Sequence, residues 1–359
     1  MTVSPAAQEL ILAVVEVALV VGVLLGLFSV MTWVERRTLA FMQFRLGPNR
    51  TGPWGVLQPI ADGIKLFFKE EVMPAAADRW AFLAAPVVAV TTALLAVAVL
   101  PYGPPFTLPR WVWPGWLQGR TLQIQIASID VGLLFIFAVT ALGVYAVVLA
   151  GWAANSKYSL LGGMRSSAQM FSYELALGLS WVGVIMVAGS FQIADIVGSQ
   201  AGWFWHWNLI RQPPAFLVYF IAATAEVARI PFDLPEGETE LVAGFHTEYS
   251  SMRFALLQMA EYINMITVSV LCTNLFLGGW NPGLPFLPAT GILGFVWWGT
   301  KVSLLLFVFI WLRGTLPRFR YDQLMGFGWK VLIPVATAWI LVTATAVAVH
   351  VRHLQVASR

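Results

Sequence analysis

Eight stretches of the chain are apolar for long enough to cross a hydrocarbon core about 30 Å thick: residues 10–34, 80–100, 129–150, 168–188, 214–228, 254–277, 291–312 and 331–351. Backbone groups surrounded by lipid must bond within the chain, so these stretches read as helices. The fifth is short and requires little tilt or a locally thinned bilayer. A different pattern fills residues 53–70. There Leu57, Ile60, Ile64, Phe67 and Phe68 recur at helical spacing, and Gln58, Asp62, Lys65 and Lys69 mark the opposite face. This is an amphipathic helix that either anchors at the membrane surface or roofs the bundle. The expected fold is all-α: a single integral membrane domain over residues 1–359, a polytopic helical bundle of about eight transmembrane helices plus one interfacial helix.

Composition agrees with the pattern. Charged residues make up 11% of the chain and apolar residues 59%, whereas a soluble domain carries about 25% charged residues. The polar surface is too small to solvate a globule, so lipid is the expected surrounding. The N-terminus lacks a basic segment ahead of its first apolar run and does not read as a cleaved signal. Between the runs, Arg36, Arg37, Arg45, Arg50, Lys65, Lys69, Arg79, Lys157, Arg165, Arg229, Arg253, Arg313, Arg318, Arg320 and Lys330 fall on one side, against Arg110, Arg120, Arg211, Arg352 and Arg359 on the other. The positive-inside rule places the first set in the cytoplasm and both termini on the outer side.

Some chemistry is excluded early. The single cysteine, Cys272, has no partner for a disulfide or a thiolate cluster, and the four histidines show no haem-ligand spacing. Neither a dinucleotide fingerprint nor a phosphate-binding loop is present. The chain offers no site for flavin, haem, iron–sulfur, metal or nucleotide, and nothing marks it as a nucleic-acid binder. Electrons, if transferred, must be carried by other chains.

Ionisable groups inside apolar spans are the candidate chemistry, because their placement is costly. Glu174 lies about 13 Å along its helix from Arg165, and Glu261 about 12 Å from Arg253, at 1.5 Å rise per residue. Glu226 lies near the cytoplasmic end of the fifth span. Each carboxylate is either a polar bridge between helices or part of a proton path. Lys301, deep in the seventh span, is expected to face a carboxylate or a water chain, as a proton-pathway member or as half of a fixed ion pair. The loop 229–253 gathers Arg229, Asp233, Glu236, Glu238, Glu240 and Glu248. Pro231 and Pro235 stiffen it. Carboxylates this close resist joint ionisation and can hold protons near neutral pH. The apolar sequel from Leu241 to Tyr249 points to a packed loop rather than a solvated one.

At these residues the chain resembles a known family. The stretches are Glu35-Arg36-Arg37, Gly47-Pro48-Asn49-Arg50 with the amphipathic helix behind it, the run from Gly151 to Gly162, Ser172-Tyr173-Glu174, the loop from Pro231 to Leu241, Glu248-Tyr249-Ser250-Ser251, Phe276-Leu277-Gly278-Gly279-Trp280 and Arg320-Tyr321-Asp322-Gln323-Leu324. They resemble the H subunit of the proton-translocating NADH:quinone oxidoreductase, respiratory complex I, called subunit 1 in mitochondria. The stretch 104–119 has no counterpart in that pattern.

The resemblance implies a membrane subunit, carrying no redox centre, that joins a peripheral arm to a membrane arm in a bacterial inner membrane. FMN and iron–sulfur clusters are then expected in partner subunits, with quinone as substrate and membrane lipid around the bundle. Arg36, Asp62 and Lys65 would line the quinone entrance. Glu174, Glu226, Arg229, Asp233, Glu236, Glu238, Glu240, Glu248 and Glu261 would belong to an acidic funnel that couples quinone reduction to proton translocation, and Lys301 would extend it. Three other readings stand beside this one: a stand-alone transporter, which lacks the expected inverted repeat; the related membrane anchor of energy-converting hydrogenases, which uses no quinone; and a passive scaffold, which leaves the membrane-depth carboxylates unexplained.

Overall fold

The computed structural model describes residues 5–107, 121–235 and 237–357, with the side chains at 5–8, 122, 238, 239 and 350–357 left aside. Thirteen α-helices follow in order: α1 Pro5–Met42, α2 Gln58–Phe68, α3 Arg79–Ala98, α4 Gly132–Ala153, α5 Lys157–Ala188, α6 Ile193–Ser199, α7 Asn208–Arg211, α8 Pro213–Glu226, α9 Glu238–Leu241, α10 Ser251–Phe276, α11 Gly291–Thr315, α12 Tyr321–Phe327 and α13 Ile333–Ala357. A π-helical turn, Gly328–Leu332, joins α12 to α13. The described strands are one two-residue antiparallel pair, Phe106–Thr107 with Thr121–Leu122. They flank the Trp- and Pro-rich stretch whose residues 108–120 lie outside the described residues, as do Arg359 and, within that stretch, Arg110 and Arg120 of the orientation argument.

Among the described residues seven helices are long and apolar enough to cross a membrane, and the last runs without interruption from α12 through the π turn into α13. Seven of the eight expected runs are therefore found. The run at 214–228 is the exception. There α8 has 14 residues, about 21 Å at 1.5 Å per residue, which is short of a 30 Å core. Helices α1 and α13 are the least buried spans and α10 the most buried. Helix α5 packs against α4, α8 and α13, and α10 packs against α3 and α11. These two helices form the axis around which the rest assemble.

Small residues let the axis pack closely, as expected where lipid supplies no hydrophobic drive between helices. A Cβ on Gly151 would stand 2.7 Å from the Ser159 carbonyl oxygen, and one on Gly162 would stand 2.7 Å from the Gly244 backbone. The second contact seats the acidic loop directly on α5. Helix α3 starts where the Asp78 side chain accepts from the Trp80 and Ala81 amides. Helix α5 stops at Gly189 in the left-handed conformation, as glycine favours at a helix C-terminus.

The interfacial helix forms, but its apolar face points away from the protein. Leu57, Ile60, Ile64, Phe67 and Phe68 are all exposed, Phe68 by 81%. Of the polar face, Gln58 and Asp62 turn inward, where Gln58 donates to Asp62 over 3.0 Å and Asp62 pairs with Arg36 of α1, while Lys65 and Lys69 are exposed. In water this arrangement would be inverted; at a bilayer it is the stable one, because the exposed side is the apolar side. Ser251 holds the far end of α2 by donating its hydroxyl to the Leu66 carbonyl over 2.8 Å.

Candidate functional site

The sequence predicts a row of carboxylates; the structure puts an arginine at their centre. Arg229 follows α8 and is buried. Its Nη1 donates to Glu35 over 2.9 Å. Its Nε stands 2.8 Å from Glu261, an ion pair without hydrogen-bond alignment. Its guanidinium lies 4.5 Å from the centre of the Tyr262 ring. Burial disfavours the Arg229 charge, but Glu261 and then Glu35 outweigh it and raise its pKa above the ordinary arginine value. Glu35 itself is only 3% exposed. It also accepts from Arg313 of α11, and from the Tyr262 hydroxyl over 2.6 Å. Four elements, α1, the loop after α8, α10 and α11, thus converge on one ionic knot. Beside it Arg318 stands 3.4 Å from Asp233.

Local packing holds the loop in place. The Gln169 amide donates to the carbonyls of both Ala225 and Phe232 over 2.7 Å, tying the end of α8 and the loop to α5. Phe232 is buried and stacks on Phe319. Tyr249 stacks on Phe82 at 4.1 Å and donates to its carbonyl over 3.1 Å. Burial pushes the Tyr249 phenol up, so it stays a neutral donor. The loop is packed, as its apolar residues lead one to expect.

Three cavities meet at the knot. The first, about 420 Å³, is walled by Glu35, Arg36, His246, Gln258, Tyr262 and Arg313, with apolar Leu39, Ala243 and Phe254. The second, about 30 Å³, lies against Arg229, Asp233, Gln258, Glu261 and Arg313. The third, about 100 Å³, runs among α3, α4, α5, α8 and α10 and is lined by Glu226 and Glu261 with Ser166, Asn264 and Thr267. At about 10–15 Å³ of such volume per water, the third holds several molecules. Gln258 borders all three cavities, and Glu261 borders two. A series of cavities with shared lining residues therefore runs from Arg36 to Glu226.

The candidates do not all lie along that series. Arg36 and Asp62 are joined at 2.5 Å at its outer edge, whereas Lys65 is exposed on α2. Glu174 is buried, but it faces a separate cavity of about 320 Å³ with Phe137, Phe171, Ser172, Leu175 and Trp329. It remains close enough to act electrostatically on Glu226. Glu240 is half exposed and pairs with Arg165 at 2.6 Å. Glu248 is partly buried. Glu236 and the Glu238 side chain lie outside the described residues.

The sequence leads one to expect Lys301 against a carboxylate or a water chain. Among the described residues its ammonium pairs with no carboxylate; it donates to the backbone carbonyls of Leu277, Gly279 and Asn281. The reason is that α10 ends at Phe276 and leaves an irregular segment whose carbonyls lack helical partners. Sequence reasoning does not single out Glu35, Arg313, Tyr262, His246 or Gln258. Glu35 begins a charged triplet at the end of a span, and Arg313 ends another. That position gives both the look of loop charge, although both lie within long helices.

The comparisons with known proteins agree with one another. The family described as NADH dehydrogenase matches residues 15–344. The second H subunit of NADH-quinone oxidoreductase from Koribacter versatilis is 49% identical over 345 residues, covering 94% of this chain and 98% of the relative. The first H subunit from Geobacter metallireducens is 50% identical over 95% of this chain and 98% of its own. The H subunit from Rubrobacter xylanophilus is 47% identical over 92% and 95%.

Proposed function

This chain belongs to the H-subunit family of NADH-quinone oxidoreductase, and on that premise we propose that it frames a quinone entry path and couples quinone reduction to proton translocation. The observation that carries the proposal is the continuity of charge and space around Arg229. The cavity at Glu35 and Arg36 shares Gln258 and Arg313 with the small cavity at Arg229, and that one shares Gln258 and Glu261 with the chamber at Glu226.

The lipid-facing apolar side of α2 and the Arg36–Asp62 pair at its inner side form a threshold that an isoprenoid tail can cross while a polar headgroup finds donors. Lys65 adds positive charge at that threshold. Electrons come from FMN and iron–sulfur groups in partner subunits; this chain supplies no redox centre. Reduction of a quinone takes up protons with the electrons and so changes charge beside Glu35. Glu35 is held by two arginines and a tyrosine, and one of those arginines also holds Glu261. A change in the charge balance at Glu35 therefore alters how strongly Arg229 holds Glu261, and Glu261 faces Glu226 across a cavity able to hold water. Asp233, Glu236, Glu238, Glu240 and Glu248 supply further proton-holding groups on the loop, and Glu174 continues the series across α5. The complex would act as a translocase in a bacterial inner membrane, with both termini of this chain on the outer side.

The test is Glu261→Gln in the assembled complex. Quinone reductase turnover is expected to fall about tenfold or more, about 1.4 kcal/mol in barrier, while the peripheral arm still oxidises NADH with a water-soluble acceptor. Unchanged turnover and unchanged proton pumping would remove Glu261 from the path.

A further inference from the structure

The half of the bundle away from the carboxylates holds a cation of another kind. Lys301 lies ten residues into α11, about 15 Å from its start and about 18 Å from Arg313 along the same helix, at 1.5 Å per residue. Its ammonium donates to the carbonyls of Asn281 at 2.5 Å, Leu277 at 2.6 Å and Gly279 at 2.9 Å. The face of Trp207 lies 4.2 Å away. Among the described residues no carboxylate forms an ion pair with it.

Several carbonyl dipoles converging on one point, with an aromatic face beside them, are the ligands that replace water around a monovalent cation. The backbone is shaped for this. Gly278 and Gly279 have φ of 72° and 55°. A Cβ on Gly278 would stand 2.5 Å from Trp207, and one on Gly279 would stand 2.6 Å from Val197. The cage is also held from behind. Gln200 accepts from the Gly278 amide over 3.1 Å, and Asn281 donates to the Val197 carbonyl over 3.1 Å.

We propose that the segment 277–281 is a monovalent-cation site occupied by the Lys301 ammonium, and that this tethered charge bars free cations and protons from crossing this half of the chain. A free cation would have to displace a covalently held one and approach a fixed positive charge where screening is weak. The proton route at Glu261 and Glu226 is then closed at this end, and protons held there exit sideways or return.

The experiment uses the complete complex in proteoliposomes without NADH, with passive proton and potassium conductance read under an imposed potential. Lys301→Gln keeps a donor for the carbonyls and removes the charge; it is expected to raise the conductance several-fold, while Lys301→Arg stays tight. A glutamine variant as tight as the wild type would overturn the barrier. Lys301→Met empties the cage. Its complex is expected to melt at higher temperature in potassium or ammonium chloride than in choline chloride, while the wild type shows no such difference. A methionine variant indifferent to the cation would overturn the site.

Discussion

Two polar regions lie inside this apolar bundle and solve the same problem with opposite chemistry. Around Arg229 the groups are ionisable and paired with one another. Glu35, Arg229, Glu261 and Arg313 share partners, and cavities border them. Several atoms have no hydrogen-bond partner there: Arg229 Nη2, one oxygen of Glu226 and, across α5, one oxygen of Glu174. Around Gln200 and Asn274 the groups are amides. Gln200 donates to the Ile196 and Asn274 carbonyls and accepts from the Asn208 and Gly278 amides, all within 3.0–3.1 Å. Asn274 donates to Pro101 and accepts from Trp298. Amides do not titrate, and this pair ties the end of α10 to α6, α7, α11 and the segment after α3. The first region has room and charge to rearrange; the second is fixed. Polarity inside a membrane protein therefore does not by itself mark a proton path. Shared ion pairs next to cavities leave room for charge to move, and saturated amides mark a brace.

The difference can be tested by breaking each side. Arg229→Met leaves the buried Glu35 and the partly exposed Glu261 without their shared partner. Loss of one member of a buried pair costs about 3–5 kcal/mol, so the complex is expected to melt markedly lower and to lose quinone reductase activity. A variant with wild-type melting and turnover would show that the knot is not held by ion pairing. Gln200→Leu abandons two carbonyls and two amides in the brace; unsatisfied buried groups cost about 1–3 kcal/mol each. Melting should fall, whereas the apparent affinity for quinone should not change. If quinone affinity shifts while stability holds, the brace belongs to the functional path after all. The smallest effect on stability is expected for Asp62→Ala, because Arg36 is more than half exposed and exposed ion pairs contribute about 0–1 kcal/mol. That change should leave melting almost unmoved but raise the KM for long-tailed quinones, and unchanged KM and inhibitor sensitivity would dissociate α2 from entry.

Much of the site is legible residue by residue, for uneven reasons. Glu174, Glu226 and Glu261 stand out in any reading, since a carboxylate in an apolar run is expensive. The structure separates them. Glu226 and Glu261 face one cavity and Glu174 another. Arg36 and Asp62 are both expected at one threshold, and the structure pairs them. Lys301 shows the converse failure. The same cost argument flags it, but a buried cation is satisfied equally well by carbonyls, and the sequence does not say where carbonyls are left over. Glu35 and Arg313 escape notice because position at the end of an apolar run reads as loop, whereas α1 continues to Met42 and α11 to Thr315.

What the sequence determined by itself is what depends on composition and period. The lipid surroundings, the all-helical architecture, seven of its spans and the amphipathic α2 follow from runs of apolar residues and from the rule that backbone in lipid must bond internally. The tertiary structure alone decided which charges meet. Glu35 lies 194 residues from Arg229 and 278 from Arg313 in the chain, and nothing local in the sequence encodes that approach. It arises from the close contact of α5 with the loop at Gly162 and Gly244 and from the anchoring of that loop by Gln169. Electrostatic partners are selected by distance in space, and only packing sets that distance.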